Sequence, residues 1–409
     1  VKRRFFLIPV FLVCFLSVTT PLFSVEADFH GFVDTYQGVK TVSSEKGSFQ
    51  SSRTRAGFEL ELSQGETMAR AAVHAVHDTI NSSNESFELR EAYMQYESEY
   101  LDLRAGRQII IWGNAEGFQV TDIVSPKDYS EFLANDFDDM RIPVDSFRAR
   151  IMKGPFTVEA VFIPVFTPAI VPYAENGASD STPWARELPQ GVILNEEVLP
   201  DRKIQNSEAA GRILFRNSLF DISILGMYGW DDQPLMIYEN DEVTPEYRKM
   251  KLLGGELTVP MGDFIIRGEG GYTMDKWFLC NDSEYTPVQK NTYSYVVGLD
   301  WSPGNNFNLS VQYYEFSIMD YQEDIISDEH SRYVTFSLSK KFFRETLTFY
   351  SMIFWGIEQG DLYNRTSLEY SISDSMKLSA GYDLFSGEEG SFGEYDDMDQ
   401  VFLKVEYLF

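Results

Sequence analysis

From Arg53 to Leu62 the chain alternates without a break: Thr54, Ala56, Phe58, Leu60 and Leu62 carry small or apolar side chains, and Arg53, Arg55, Gly57, Glu59 and Glu61 lie between them. A period of two places one set on each face of a β-strand. Such a strand needs oil on one side and water on the other. The pattern returns at Tyr293, Tyr295, Val297, Leu299 and Trp301 against Thr292, Ser294, Val296, Gly298 and Asp300. It returns again at Thr366, Leu368, Tyr370 and Ile372 against Arg365, Ser367, Glu369 and Ser371. Few segments carry a helical period, and none after the N-terminal apolar run is apolar for long enough to cross a bilayer as a helix.

The breaks between strands are of two kinds. Short turns are predicted at Ser63 to Glu66, Ser98 to Tyr100, Lys153 to Pro155, Asn217 to Ser218, Pro260 to Asp263, Pro303 to Asn306, Phe342 to Glu345 and Ser373 to Ser375. Longer, polar connections are centred near residues 44, 82, 128, 185, 239, 282, 324, 359 and 391. Alternating the two kinds gives about 18 strands, with short turns at one end and long loops at the other, the asymmetry of a transmembrane barrel. The fold class expected is all-β, a single transmembrane antiparallel β-barrel with short periplasmic turns and long extracellular loops.

Composition excludes other classes. With 63 acidic against 34 basic residues, a formal net charge of -29 and no basic patch, the chain is no partner for nucleic acid. A hydrophobic content of 44 % that includes 32 Phe and 23 Tyr is too apolar for a disordered chain. Lys2, Arg3 and Arg4 before an apolar run from Phe5 to Val18, then Val25-Glu26-Ala27, predict a secretory signal over residues 1–27 and a mature barrel over 28–409. Cys14 leaves with the signal, so Cys280 has no partner for an intramolecular disulfide.

Closure follows from edge chemistry, because an unpaired N–H or C=O in hydrocarbon costs several kcal/mol. A barrel of this size has a bore too wide for side chains to fill. With the first strand predicted from Asp28 to Gln37, directly after the signal, constriction is assigned to loops. The connections Trp112 to Asp145 and Pro164 to Asn206 exceed ordinary loop lengths. The first holds Phe118, Val120, Ile123, Tyr129, Phe132, Leu133 and Phe137, which would be wasted in solvent, so residues of about 113–145 are expected to fold inward. That brings Asp122, Asp128, Glu131, Asp136, Asp138 and Asp139 into the bore as constriction-loop acids.

Alternation puts Arg53, Arg55, Arg70, Arg104, Arg148, Arg150 and Arg212 on the polar, pore-lining face. Turning one to the bilayer midplane would cost about 2–4 kcal/mol. A basic wall facing an acidic loop would set up a transverse field across the bore. The alternative is that these arginines pair with wall carboxylates such as Glu59, Glu61, Glu91, Glu159 and Glu208 and hold the wall together. Arg107 breaks the pattern: counted from Leu101, Leu103 and Ala105 it faces lipid, so a bulge near Gly106 or a register shift is expected.

At the end of the chain Val401, Leu403, Val405, Tyr407 and Phe409 alternate with Gln400, Lys404 and Glu406. This resembles the terminal strand that the barrel assembly machinery recognises in Gram-negative outer-membrane β-barrel proteins, which implies that Tyr407 and Phe409 are an assembly signal. A second resemblance covers about 45 residues: Gly106-Arg107-Gln108-Ile109-Ile110-Ile111-Trp112-Gly113, then Asp122, the Pro126-Lys127-Asp128 step and Arg141-Ile142-Pro143. It is similar to a family of uncharacterised proteobacterial outer-membrane barrels, and elsewhere the chain resembles porin-like or alginate-exporter-like barrels. The resemblance implies a channel and names no solute.

No enzyme is expected. His74 and His77 fall on opposite faces of a strand, with His74 toward the lumen, so they form neither a metal pair nor a base pair. No Gly-x-Ser-x-Gly elbow and no His-Glu-x-x-His occurs, and Gly268 to Gly271 reads as close strand packing. No catalytic residue, metal ligand or cofactor is assigned. The function expected is passive diffusion of small hydrophilic solutes through the outer membrane, with outer-membrane lipid, lipopolysaccharide and a small polar solute as partners and a homo-trimer left open. Two alternatives stand: a polysaccharide exporter-like barrel, and a non-conducting receptor or adhesin.

Overall fold

The computed structural model describes residues 25–81, 86–113, 115, 117–118, 120–131, 139–174, 184–189, 191–282 and 285–409. The first strands are β1 (Glu26–Lys40), β2 (Phe49–Gln64), β3 (Thr67–Asp78), β4 (Ser86–Glu97), β5 (Leu101–Gln108), β6 (Val144–Lys153), β7 (Phe156–Ile163), β8 (Glu208–Arg216) and β9 (Asp221–Trp230). They continue as β10 (Lys249–Met261), β11 (Phe264–Leu279), β12 (Pro287–Gly304), β13 (Phe307–Ile318), β14 (His330–Phe342), β15 (Leu347–Gly356), β16 (Leu362–Ser373), β17 (Met376–Ser386) and β18 (Gln400–Leu408). Each pairs antiparallel with its neighbours in sequence, in one 18-stranded sheet. The ring closes where β18 meets β1, with Leu408 opposite Phe32 and Gln400 opposite Lys40. Phe409 extends that seam: its N–H donates to the Gly31 carbonyl at 2.9 Å and its carbonyl accepts from the Gly31 N–H at 2.8 Å.

Short turns and long connections alternate around the ring at the positions that the breaks in the pattern predict. Outward rows are apolar, for example Phe58, Leu60, Leu103, Phe147, Ile151, Val158, Ile213, Ile224, Leu253, Val297, Leu299, Phe336, Leu368, Val401 and Leu403, all exposed. Aromatic rings gather near the short-turn rim, where Phe264 lies 6.2 Å from Trp301 and Trp301 lies 5.8 Å from Phe307, as in the aromatic girdle of a membrane barrel. No helix among the described residues is long and apolar enough to cross a membrane.

The wall is uneven. β5 and β7 have 8 residues each, β8 has 9 and β6 has 10. Farther round the ring β11 has 16 and β12 has 18. The short strands flank the longest connections, 109–143 and 164–207.

Arg107 does sit on the outer face, as strict alternation requires, where it ion-pairs with the exposed Asp145 at 3.5 Å and its Nε donates to the Leu89 carbonyl at 2.8 Å. The bulge expected near Gly106 is not there: β5 pairs with β4 and β6 in unbroken register through that residue. The irregularity lies one strand away, where Ala72 faces Glu91 and Val73 faces Leu89, leaving Arg90 as the extra residue. Gly106 answers a different demand. Its φ is 130° and a Cβ there would meet the Ala92 carbonyl oxygen at 2.3 Å, so only glycine fits.

Candidate functional site

The polar faces of β1 to β8 turn inward and are contacted by residues of the long connection after β5. After β5, Ile110, Trp112 and Val124 pack against the inner wall, where they join Val161, Ile163, Leu225, Met227 and Leu252 in one buried apolar cluster. Trp112 is 1 % exposed; its ring nitrogen donates to Glu159 at 3.3 Å and the Arg212 guanidinium lies 5.2 Å above its ring. Of the apolar loop residues singled out from sequence, Val120 is buried, Ile123 packs against the same cluster and Phe118 stacks on Tyr314. Phe132, Leu133 and Phe137 lie outside the described residues.

Polar contacts tie the loop to opposite sides of the ring. On the far side the Gly113 N–H donates to Glu256 of β10 at 2.9 Å and the Thr121 hydroxyl donates to Glu269 of β11 at 2.7 Å. Gly271 makes the approach close enough, since a Cβ there would stand 3.2 Å from the Val120 carbonyl. On the near side Arg53 of β2 pairs with Glu131, Arg55 pairs with Asp139 at 2.9 Å, and Arg90 of β4 donates to the Asp139 carbonyl at 2.7 Å. Both β2 arginines also share Asp34 of β1, at 3.7 Å for Arg53 and 2.8 Å for Arg55.

The remaining arginines assigned to the pore face are also inward and paired. Arg70 meets Glu59 at 2.7 Å and Glu91 at 3.3 Å and stands opposite Glu61; Arg212 meets Glu159 at 3.0 Å and Glu256 at 3.9 Å. Arg148 at 3.0 Å, the Arg150 Nε at 2.9 Å and Arg104 at 4.0 Å converge on one carboxylate, Asp102, whose side chain is 0 % exposed. Glu97 stands opposite Asp102 and Glu159 opposite Arg150 on the neighbouring strands, so the three cations meet three carboxylates. Glu208 is 4 % exposed and accepts from the Trp230 N–H at 2.9 Å, with no arginine partner among the described residues.

The loop acids divide. Glu131 and Asp139 face wall arginines, as a basic wall opposite an acidic loop requires. Asp122 instead stays within its own loop, bound by Arg141 at 2.8 Å and near Lys127 at 3.9 Å, while Asp128 accepts from the Ser130 N–H at 2.9 Å. Asp136 and Asp138 lie outside the described residues. The sequence reading missed Asp34 and Asp102. Both sit at inward parity, Asp102 between the outward Leu101 and Leu103, so alternation alone could have placed them.

The two loop carboxylates respond oppositely to their surroundings. Burial pushes the Glu131 carboxyl above its ordinary value, only partly offset by Arg53. Burial also acts on Asp139, but the Arg55 guanidinium outweighs it and holds the carboxyl below its ordinary value. A raised carboxyl binds its proton more tightly when the loop is docked, so docking gains as pH falls toward that value and loses the gain as pH rises through it; a lowered one favours docking at higher pH and loses it as pH falls. Loop openings should therefore become rarer as pH drops from neutral through the Glu131 region and more frequent again below the usual aspartate range. Counting brief conductance transitions against pH in planar bilayers checks both slopes, and Glu131→Gln should remove the first.

His74 is inward and 7 % exposed, edge-on to Phe32 at 5.2 Å. No cluster of His, Cys, Asp and Glu suited to a metal occurs among the described residues.

A family model described as a protein of unknown function (DUF1302) matches residues 37–155, the stretch that holds β2 to β6, the Gly106 to Gly113 segment and the inward loop. No curated protein matches. Among solved structures, Pseudomonas aeruginosa OccK2 (OpdF) in complex with glucuronate is similar with a TM-score of 0.57 at 10 % identity, covering 94 % of this chain and 98 % of that one. Acinetobacter baumannii OccAB3 gives 0.55 at 9 % identity, over 94 % and 99 %. Pseudomonas aeruginosa OccK5 (OpdH) gives 0.54 at 10 % identity, over 94 % and 98 %. At such identities the likeness speaks for the fold, and the fold is that of an outer-membrane porin-like barrel.

Proposed function

We propose that this chain is an outer-membrane channel for passive diffusion of small hydrophilic solutes, narrowed by the loop of residues 109–143. One observation supports the reading above the others: an apolar outer wall closes around an inner face of charged rows, and a loop bound to opposite sides of the ring lies between them. Charged rows facing hydrocarbon or a dry core would be prohibitively costly; facing water they are stable and attract polar solutes. In this reading residues 1–27 direct export, and Tyr407 and Phe409 at the closing seam are the assembly signal read by the barrel assembly machinery.

Arg104, Arg148 and Arg150 gather positive charge on one stretch of the inner wall, which favours anions there. Replacing Arg148 and Arg150 together with Ala removes two of its three cations and should move the reversal potential under a salt gradient toward cations. An unchanged reversal potential would take these residues out of ion selection. Purified protein in planar bilayers should show discrete openings, and liposome swelling with sugars, amino acids and organic acids ranks the solutes.

The same tethering favours a second reading, a barrel that its loop closes, whose long connections serve display. A correctly folded preparation that stays electrically silent, even with the loop released, would support it.

A further inference from the structure

At the long-loop end of the bore lies a cavity of about 390 Å³ that the ion-pair network does not use. Its wall draws on segments far apart in sequence: Phe118 of the inward loop, Trp184 and Arg186 of the 164–207 connection, Tyr314 of β13, Tyr333 of β14 and Tyr395 of the last loop. Phe118 lies flat on Tyr314, centroids 4.2 Å apart and planes within 2°, and Trp184 stands 5.8 Å from Tyr395. Tyr333 is anchored by its hydroxyl, which donates to Ser391 at 2.9 Å. The rings are thus fixed before anything enters.

Rings gathered between a loop and a wall can be plain packing. A packed core, however, closes to crystal-like density and leaves few voids larger than a water molecule. This one leaves a room within the size range of small-molecule sites, which are mostly apolar with a few polar groups that orient the ligand. Two polar groups are present here. Arg186 is exposed and makes no ion pair with any described residue, whereas the seven arginines assigned to the pore face all have carboxylate partners. The Tyr314 hydroxyl makes no hydrogen bond to a described residue. π-faces hold a planar ring by stacking, and a guanidinium fork takes a carboxylate through two parallel hydrogen bonds.

We propose that this cavity is a binding subsite for a planar aromatic anion, its ring against the Phe118–Tyr314 and Trp184–Tyr395 faces and its carboxylate on Arg186. The proposal deepens the channel reading and rests on it only for the consequence that such a solute dwells here on its way through. The test is calorimetric titration of the folded, detergent-solubilised full chain with 2-naphthoate, its neutral counterpart 2-naphthalenemethanol, and the non-planar cyclohexanecarboxylate. The wild type should bind 2-naphthoate most tightly. Arg186→Gln should weaken 2-naphthoate at least tenfold and leave the alcohol unchanged. Phe118→Leu, which keeps apolar bulk and loses the flat face, should weaken 2-naphthoate and spare cyclohexanecarboxylate. Folding of each variant is verified by the gel shift between unheated and boiled barrel.

No heat with 2-naphthoate up to millimolar concentration, or equal binding by Arg186→Gln, overturns the subsite. The same preparations in planar bilayers separate the two readings: an open channel that binds no naphthoate removes the subsite alone, and a silent barrel that binds it removes the channel alone.

Discussion

Asp139→Asn should release the near half of the inward loop and raise the frequency of full-width openings about tenfold, whereas Glu131→Gln should change little at neutral pH. Both carboxylates face a β2 arginine, yet they are not equivalent. Asp139 is held ionised by Arg55 at 2.9 Å, so the substitution exchanges a charge-assisted contact for a neutral one. Contacts to charged groups contribute about 1.5–3 kcal/mol, and because a third of the Asp139 side chain is exposed, solvent screening places this one at the lower end. That is about a factor of ten in a two-state equilibrium. Burial raises the Glu131 carboxyl, so its ionised form gains less from docking than that of Asp139 and Gln costs it less. Arg55 keeps Asp34 at 2.8 Å in the Asp139 variant, so the wall itself is spared. Single-channel recordings supply the opening frequency, and hydrogen exchange over residues 127–141 reports whether the loop has come loose. Equal effects of the two substitutions would refute the assignment of Asp139 as the tether.

Removing Asp102 should be far more damaging. Arg104, Arg148 and Arg150 all converge on this one fully buried carboxylate. Taking away one partner of a buried ion pair costs about 3–5 kcal/mol because the other charge stays behind unpaired. Asp102→Ala should therefore lower the temperature at which the barrel loses its compact gel mobility, and any folded fraction should favour anions more strongly than the wild type. The triple substitution Asp102→Ala, Arg148→Ala and Arg150→Ala should recover much of the lost stability, since Arg104 keeps the Tyr93 ring face at 4.9 Å. Additive losses in the triple variant would show that Asp102 does not act through the arginines.

The strand count and the sidedness of the wall were legible because each depends on the local period of the chain. A residue between Leu101 and Leu103 must face the other way, wherever those strands sit in the ring. Counter-ion choice is different, because it depends on register between strands. That Asp102 stands opposite Arg150 and Asp34 opposite Arg55 follows from hydrogen-bond ladders that no single strand encodes. The misplaced bulge has the same origin: Arg107 is regular, and the extra residue is Arg90 on the neighbouring strand. The aromatic cavity was beyond reach for a further reason. Phe118, Trp184, Tyr314 and Tyr395 meet only because three long connections fold back over the same part of the wall.

The low wall of β5 to β8 bears on the surrounding membrane. Eight residues at the usual tilt rise about 20 Å, against about 25 Å for the apolar band of such barrels. Acyl chains on that flank must shorten or splay, at a fraction of a kcal/mol for each ångström, while those beside β11 and β12 can stand at full height. The wall is thus lopsided in the plane of the bilayer, and the expected result is a thinner lipid annulus beside β5 to β8 than beside β11 and β12, an elastic bearing that turns with the molecule as it diffuses.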